Sequence, residues 1–171
     1  KHGVQVVSGP PILMEMICRK LVQKVEELSW IERFIVKVFR MAVLAVGFAF
    51  PYGGHLLGRA LFRKIHSSLG VLYCGGARLP AEVGRTLFSF GYYLHTAYGL
   101  SETSGVTHMN PQIVRYPRSV GQCNPRVEIK IDHPNDQGIG EIFIKSEQLF
   151  LCYFQNPALT HEHLRSGWFA T

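Results

Sequence analysis

Over its first hundred residues the chain alternates short apolar runs with stretches of helical periodicity, and this alternation restricts its folding more than any other feature. Val4 to Val7 is a strand-length apolar run closed by Ser8-Gly9-Pro10-Pro11, where the prolines end a strand and can open a helix. Leu13, Ile17, Leu21, Val25 and Leu28 then recur at steps of four and three, forming one stripe on a helix. Val71 to Cys74 reads as a second strand, Gly75-Gly76-Ala77 as a small-residue turn, and Pro80 as the approach to a helix that buries Val83, Leu87 and Phe90. Tyr93 to Tyr98 is again strand-like. Strands separated by helices join through crossovers, and crossovers give a parallel sheet. Ligands of such sheets bind beyond the carboxyl ends of the strands.

The pattern changes after Asn110-Pro111. Val127, Ile129 and Ile131 alternate with Glu128, Lys130 and Asp132, the period of a strand with one wet face. Asn135-Asp136-Gln137-Gly138 supplies turn chemistry, and Glu141 to Lys145 reads as the returning strand. The expected architecture is α/β: parallel-sheet crossover units over residues 1–117, then a smaller β-rich subdomain over residues 118–171.

Trp30 to Phe50 admits two readings. Its first half mixes Glu32, Arg33, Lys37 and Arg40 with large apolar residues, while Met41 to Phe50 carries no charge. The uncharged part is far shorter than the roughly 20 apolar residues that cross a bilayer. It reads as a buried helix, or as a helix lying against a membrane or another part of the protein; Arg59, Arg63 and Lys64 favour an anionic surface for residues 30–64. With 47% hydrophobic and 18% charged residues the composition excludes intrinsic disorder. A formal charge of +6 suits polyanionic ligands or an acidic membrane surface and identifies neither.

Cys18, Cys74, Cys123 and Cys152 form no CxxC pair, and Cys74 and Cys152 lie in apolar runs that suit a small buried thiol; a reducing, cytoplasmic setting is the simplest account. No basic flank, apolar core and cleavage site open the chain, so a secretory signal is not expected. A start at Lys1 and a stop inside a motif at Thr171 read as those of a fragment.

Chemistry concentrates in Tyr98 to Gly105, YGLSETSG, at the end of a predicted strand. Tyr98 can stack on a planar base and Gly99 is permissive. Ser101 and Thr103 can donate hydrogen bonds to phosphate oxygens, and Glu102 can hold Mg2+. A polar surface turn has the same composition. Gly75-Gly76-Ala77 lets a backbone approach a ligand, or is a structural turn; neither GxxxxGK[ST] nor GxGxxG is present. A serine nucleophile elbow is excluded because GxSxG needs glycine where Thr103 stands. His161-Glu162-His163 lacks the spacing of a helical zinc site and is expected to be a solvated helix start after Thr160.

In order along the chain, CGGARLP, AYGLSETSG, SVGQCNPRVEIKID, GEIFIKSEQLFLCYFQNPALT and SGWFAT resemble five motifs of the adenylate-forming superfamily of acyl-CoA synthetases, firefly-type luciferases and peptide-synthetase adenylation domains. The resemblance implies that Gly75, Gly76 and Ala77 border adenine and the acyl pocket, that Tyr98 stacks on adenine, and that Gly99 and Thr103 belong to the nucleotide site. Ser101, replacing the more usual threonine, would contact the AMP phosphate, and Glu102 would hold Mg2+; these two are the expected catalytic residues. Cys152-Tyr153 stands where Gly-Tyr is usual, and Asn124-Pro125-Arg126 lacks the usual Pro-Gly.

The implied reaction joins a carboxylic acid to ATP, giving acyl-AMP, and passes the acyl group to a thiol, commonly coenzyme A. ATP, Mg2+ and coenzyme A are therefore expected, and nucleic acid is not. The apolar insertion from Trp30 to Phe62 is most like long-chain fatty acyl-CoA synthetases. Aryl-acid and amino-acid adenylating enzymes, and a noncatalytic homologue that binds a membrane or partner, are the alternatives. The family's phosphate loop would precede Lys1, its ribose-binding aspartate would follow Thr171, and its mobile domain with the catalytic lysine would lie outside the chain. Residues 1–171 alone are therefore expected to be inactive.

Overall fold

The computed structural model describes residues 5–62 and 68–171. Val4, Arg63 and Lys64, which figure in the sequence expectations, lie outside the described residues. The chain separates into two units, residues 1–97 with 109–121 and residues 98–108 with 122–171.

In the first unit, β1 (Val6–Gly9) leads into α1 (Pro11–Glu26), with Pro11 at the first helical position. A Pro there sacrifices only an amide that the helix leaves unpaired anyway. The stripe expected on α1 faces inward, but its most buried member, Met14, belongs to the adjoining row. Trp30–Phe62 resolves into α2 (Trp30–Ala49), started by a reciprocal Ser29–Glu32 capping box, and α3 (Pro51–Leu61), which restarts at Pro51. The helices meet where neither has a side chain: a Cβ added to Gly54 would lie 2.5 Å from the Gly47 Cα.

β2 (Val71–Cys74), α4 (Ala81–Ser89) and β3 (Tyr93–Leu100) complete the crossover pattern. β1 pairs with β2 and β2 with β3, both parallel, as the alternation requires. A single 3-10 turn, Ser101–Thr103, connects β3 to β4 (Gly105–Asn110), and β5 (Gln122–Cys123) ends the strand order β1-β2-β3-β4-β5. β3 and β4 each pass from one unit to the other along the chain.

The first unit's core joins Met14 and Leu21 of α1, Val43 of α2, Leu72 and Cys74 of β2, and Leu87, Phe88 and Phe90 around the end of α4. A charged group, Arg40, reaches into this layer. The half-buried Arg40 donates from Nε to the Ser89 hydroxyl at 2.8 Å, and its guanidinium lies 4.7 Å from the Phe90 ring centroid. Burial lowers its pKa, and the neighbouring Cys18 offsets part of that effect. Cys74 is buried as expected, and burial pushes its thiol up to about 11. Cys152 is exposed, contrary to expectation, because its apolar run is an irregular segment with no facing layer.

The second unit contains the expected hairpin. β6 (Val127–Asp132) pairs antiparallel with β7 (Glu141–Ser146), from Val127 opposite Ser146 to Asp132 opposite Glu141. α5 (Pro157–His163), β8 (Leu164–Arg165) and β9 (Trp168–Ala170) follow, giving the antiparallel order β6-β7-β9-β8. Asn156 caps α5 by accepting from the Leu159 amide at 3.1 Å, so His161–His163 end this helix instead of starting one. Among the described residues no cluster of histidine, cysteine and carboxylate side chains is arranged for a metal ion.

Candidate nucleotide site

YGLSETSG forms a tight reversal between β3 and β4. Gly99 makes this approach possible, since a Cβ there would fall 2.9 Å from the Val106 Cα and against the Gly105 carbonyl. Thr103 closes the turn from inside. Its buried hydroxyl lies 2.9 Å from the Leu100 amide, which donates to it, and 2.9 Å from the Leu100 and Gly105 carbonyls, to which its single proton can be given. That hydroxyl is engaged within the turn. Ser104 then takes the left-handed conformation, φ 53°, with its amide donating to the Ser101 carbonyl at 3.0 Å.

This scaffold leaves Ser101 exposed and Glu102 half-buried beside it. Two bonds fix Glu102: its carbonyl accepts from the Phe150 amide at 2.8 Å, and its Oε1 accepts from the Tyr153 hydroxyl at 3.0 Å. Partial desolvation, and then the hydrogen bond and charge of Glu102, raise the Tyr153 pKa, so the phenol keeps the proton it donates. Among the described residues Glu102 Oε2 accepts no hydrogen bond. A fixed carboxylate with a free oxygen fits Mg2+, which takes one or two protein carboxylates and fills its remaining positions with water and substrate phosphates.

Tyr98 is half-buried, its ring edge-on to His108 at 5.6 Å between centroids, and its carbonyl accepts from the Thr107 hydroxyl at 3.2 Å. Burial lowers the His108 pKa and favours the neutral ring. Tyr98, Gly99, Ser101, Glu102 and Thr103 are thus gathered on one hairpin of the second unit.

Gly75, Gly76 and Ala77 lie in the first unit. Cys74 pairs with Thr96, which carries Gly75 past the end of β2 to lie beside Ala97. Gly76 has φ 82° and open space where a side chain would stand. Immediately beyond, Arg78, Glu82 and Arg118 line an open pocket of about 640 Å³ with Leu79, Pro80, Ala81 and Pro117.

Two groups escaped the sequence reading. Tyr153 was visible only as part of a Cys-Tyr variant of a usual Gly-Tyr, and the signal for its role is long-range, 51 residues from Glu102. His95, buried on β3, packs 4.5 Å from the Tyr93 ring and 4.9 Å from the Tyr73 ring. Among the described residues its Nδ1 has no hydrogen-bond partner, and burial lowers its pKa. No local pattern singles it out.

The sequence matches the AMP-binding enzyme family over residues 1–154. The chain belongs to that family. It is 29% identical to long chain acyl-CoA synthetase 1 of Arabidopsis thaliana over 96% of this chain, but spans only 28% of that protein. It is 32% identical to a long-chain-fatty-acid–CoA ligase of Escherichia coli over 64% of this chain and 20% of the relative.

Solved structures agree on the fold. The N-terminal domain of FACL13 from Mycobacterium tuberculosis superposes with a TM-score of 0.61 at 17% identity, covering 98% of this chain and 35% of that one. O-succinylbenzoate coenzyme A synthetase of Bacillus subtilis, solved with ATP and magnesium ion, gives 0.53 at 21% identity over 68% of this chain and 26% of that one. This member of the AMP-binding family therefore corresponds to part of the N-terminal domain in that fold, with its mixed sheet and separate antiparallel sheet.

Proposed function

We propose that the protein containing this chain is an ATP-dependent acyl-CoA ligase that activates a long-chain fatty acid and transfers it to coenzyme A. The observation that carries the reading is the reversal after β3, where Ser101 is exposed beside a Glu102 held by Tyr153. The long-chain relatives support the choice of acid.

The chemical difficulty is that a carboxylate must approach a triphosphate of the same sign. Bound Mg2+ would supply charge compensation, with Glu102 Oε2 as its protein oxygen and Tyr153 fixing the other. Ser101 would donate to an oxygen of the α-phosphate as the acid's oxygen attacks that phosphorus and pyrophosphate leaves. Tyr98 offers its ring to the adenine. Thr103 shapes the turn that carries Ser101 and Glu102, and Gly99 allows the strands close enough to make it. In the first unit, Gly75, Gly76 and Ala77 present a backbone that a flat base can approach. In the second half-reaction the thiolate attacks the acyl-AMP carbonyl and AMP departs.

The test is acid- and coenzyme-A-dependent release of AMP by the full-length protein, across fatty, aryl and amino acids. Turnover with palmitate and not with benzoate is expected. Turnover confined to aryl acids, as the anthranilate CoA ligase fold neighbour would suggest, overturns the choice of acid. No turnover with any acid favours a noncatalytic homologue.

A further inference from the structure

α2 presents its apolar side in an unexpected direction. Val36, Arg40, Val43, Leu44 and Gly47, at helical spacing, turn inward or towards the inner layer. On the opposite side, Trp30, Phe34, Met41 and Phe48 are 75%, 64%, 62% and 55% exposed, with Val38 and Ala45 among them. At about 100° per residue, Glu32 and Lys37 fall at the two edges of the inward stripe and Arg33 within its range near the start of the helix, so α2 itself projects no charge from the centre of the outward face. Among the described residues, the one cation beside that face from another segment is Arg115, 5.7 Å from the Phe48 ring centroid. A surface helix in water has the reverse arrangement. The apolar surface continues past the helix end through Phe50, Tyr52 and Leu56. A strip of this kind along a helix of roughly 30 Å is more than a protein surface ordinarily leaves in water.

We propose that this face lies in the interface of an anionic lipid bilayer, with α2 parallel to the membrane plane. The charge pattern selects that occupant. From Trp30 to Leu61 the chain carries the cations Arg33, Lys37, Arg40 and Arg59 and the single carboxylate Glu32. Glu32 is tied to Ser29 in the capping box, Arg40 to Ser89, and Arg59 to the Leu69 carbonyl. Arg33 and Lys37 make no ion pair among the described residues. Lys37 stands at the border of the apolar face beside Trp30 and Phe48, and the exposed Arg33 one turn before it, where long stems can follow the face while the heads meet lipid phosphates. Aromatic side chains mark both ends, Trp30 and Phe34 at one and Phe50 and Tyr52 at the other, as suits a bilayer interface. A second copy of this face would offer Arg33 and Lys37 a single carboxylate, Glu32, already engaged by Ser29 of its own helix. Among the described residues no helix is long and apolar enough to cross a membrane, so the contact is one of lying on the surface. The inference rests on the long-chain ligase reading only for its purpose, which is access to an acid that partitions into lipid.

The experiment is flotation of the full-length protein with phosphatidylcholine vesicles and with phosphatidylcholine–phosphatidylglycerol vesicles. Wild type is expected to float with the anionic vesicles, and less so as salt rises. Phe34→Glu with Phe48→Glu should reduce flotation to background, and Arg33→Gln with Lys37→Gln should lower the partition coefficient about thirtyfold. Both pairs lie outside the core, so thermal stability and solution mass should match wild type. Wild-type flotation by the phenylalanine pair overturns the proposal. So does its unfolding, which would mean that other parts of the polypeptide cover the face, or its dissociation from dimer to monomer, which would mean that a second copy does. Palmitate-dependent pyrophosphate exchange, measured in detergent without vesicles, reads the ligase separately. Its absence from wild type would sink the enzymatic reading and leave the flotation result standing.

Discussion

The Tyr153 hydroxyl donates to Glu102 Oε1 at 3.0 Å, joining the loop before α5 to the turn that follows β3. A carboxylate free to rotate would present either oxygen, or neither, to a cation. One that accepts from a phenol on one oxygen presents the other in a fixed place. Tyr153→Phe keeps the ring that packs against Phe150, at 4.7 Å between centroids, and removes only the donor. It is expected to raise the Mg2+ concentration needed for half-maximal activity about tenfold, the usual effect of losing a partner of a metal-binding group. A purely structural Tyr153 would lower thermal stability and leave the Mg2+ requirement unchanged.

Gly54→Ala tests the α2–α3 packing. The added methyl would sit 2.5 Å from the Gly47 Cα and 3.0 Å from the Phe88 ring, and the former contact is with backbone that cannot rotate away. The expected loss is about 1–3 kcal/mol, the usual cost of overpacking, read from chemical denaturation. An unchanged denaturation midpoint would mean that the two helices can separate without cost.

Stability should fall as the pH is lowered from neutral. Burial holds His95 and His108 below the ordinary value of 6.5. The unfolded chain therefore takes up protons on these rings before the folded one does. The contribution is complete above about 6.5 and is lost as the pH falls towards the depressed folded values. Thermal melts across this range should show the decline, and His95→Gln should flatten it. A slope that His95→Gln leaves unaltered would assign the acid sensitivity elsewhere.

Residues 1–171 expressed alone are expected to release no pyrophosphate above blank with any carboxylic acid. The chain spans 28% of the Arabidopsis synthetase, and a single fixed carboxylate and one exposed hydroxyl do not orient two anionic substrates by themselves. Release above blank would show that the hairpin and glycine turn suffice.

Much of the fold could be read locally. The stripe from Leu13 to Val25, the Pro11 start and the alternation from Val127 to Asp132 each report the layer or face they meet, and the structure follows them. The placement of Ser101 and Glu102 just past a strand end could be read because the apolar run before them ends there. What escaped depends on partners distant in sequence. Tyr153 gains its role from Glu102, His95 from the rings of Tyr73 and Tyr93, and Gly47 and Gly54 from each other. Cys152 departs from expectation for a related reason: its apolar neighbours suggest burial, but Leu151 and Phe154 are themselves 91% and 87% exposed. The Trp30–Phe50 stretch divides in the same way. Its helix is evident from its pattern, but only the structure reveals that its uncharged face points outward.

Exchange of labelled pyrophosphate into ATP by the full-length protein, in the presence of palmitate, isolates acid activation from thiol transfer and is the decisive measurement. The ligase account predicts palmitate-dependent exchange that requires Mg2+ and falls about a hundredfold or more in Glu102→Ala, with Ser101→Thr retaining most of it. Exchange at the wild-type rate in Glu102→Ala, or exchange driven by benzoate and not by palmitate, would contradict it.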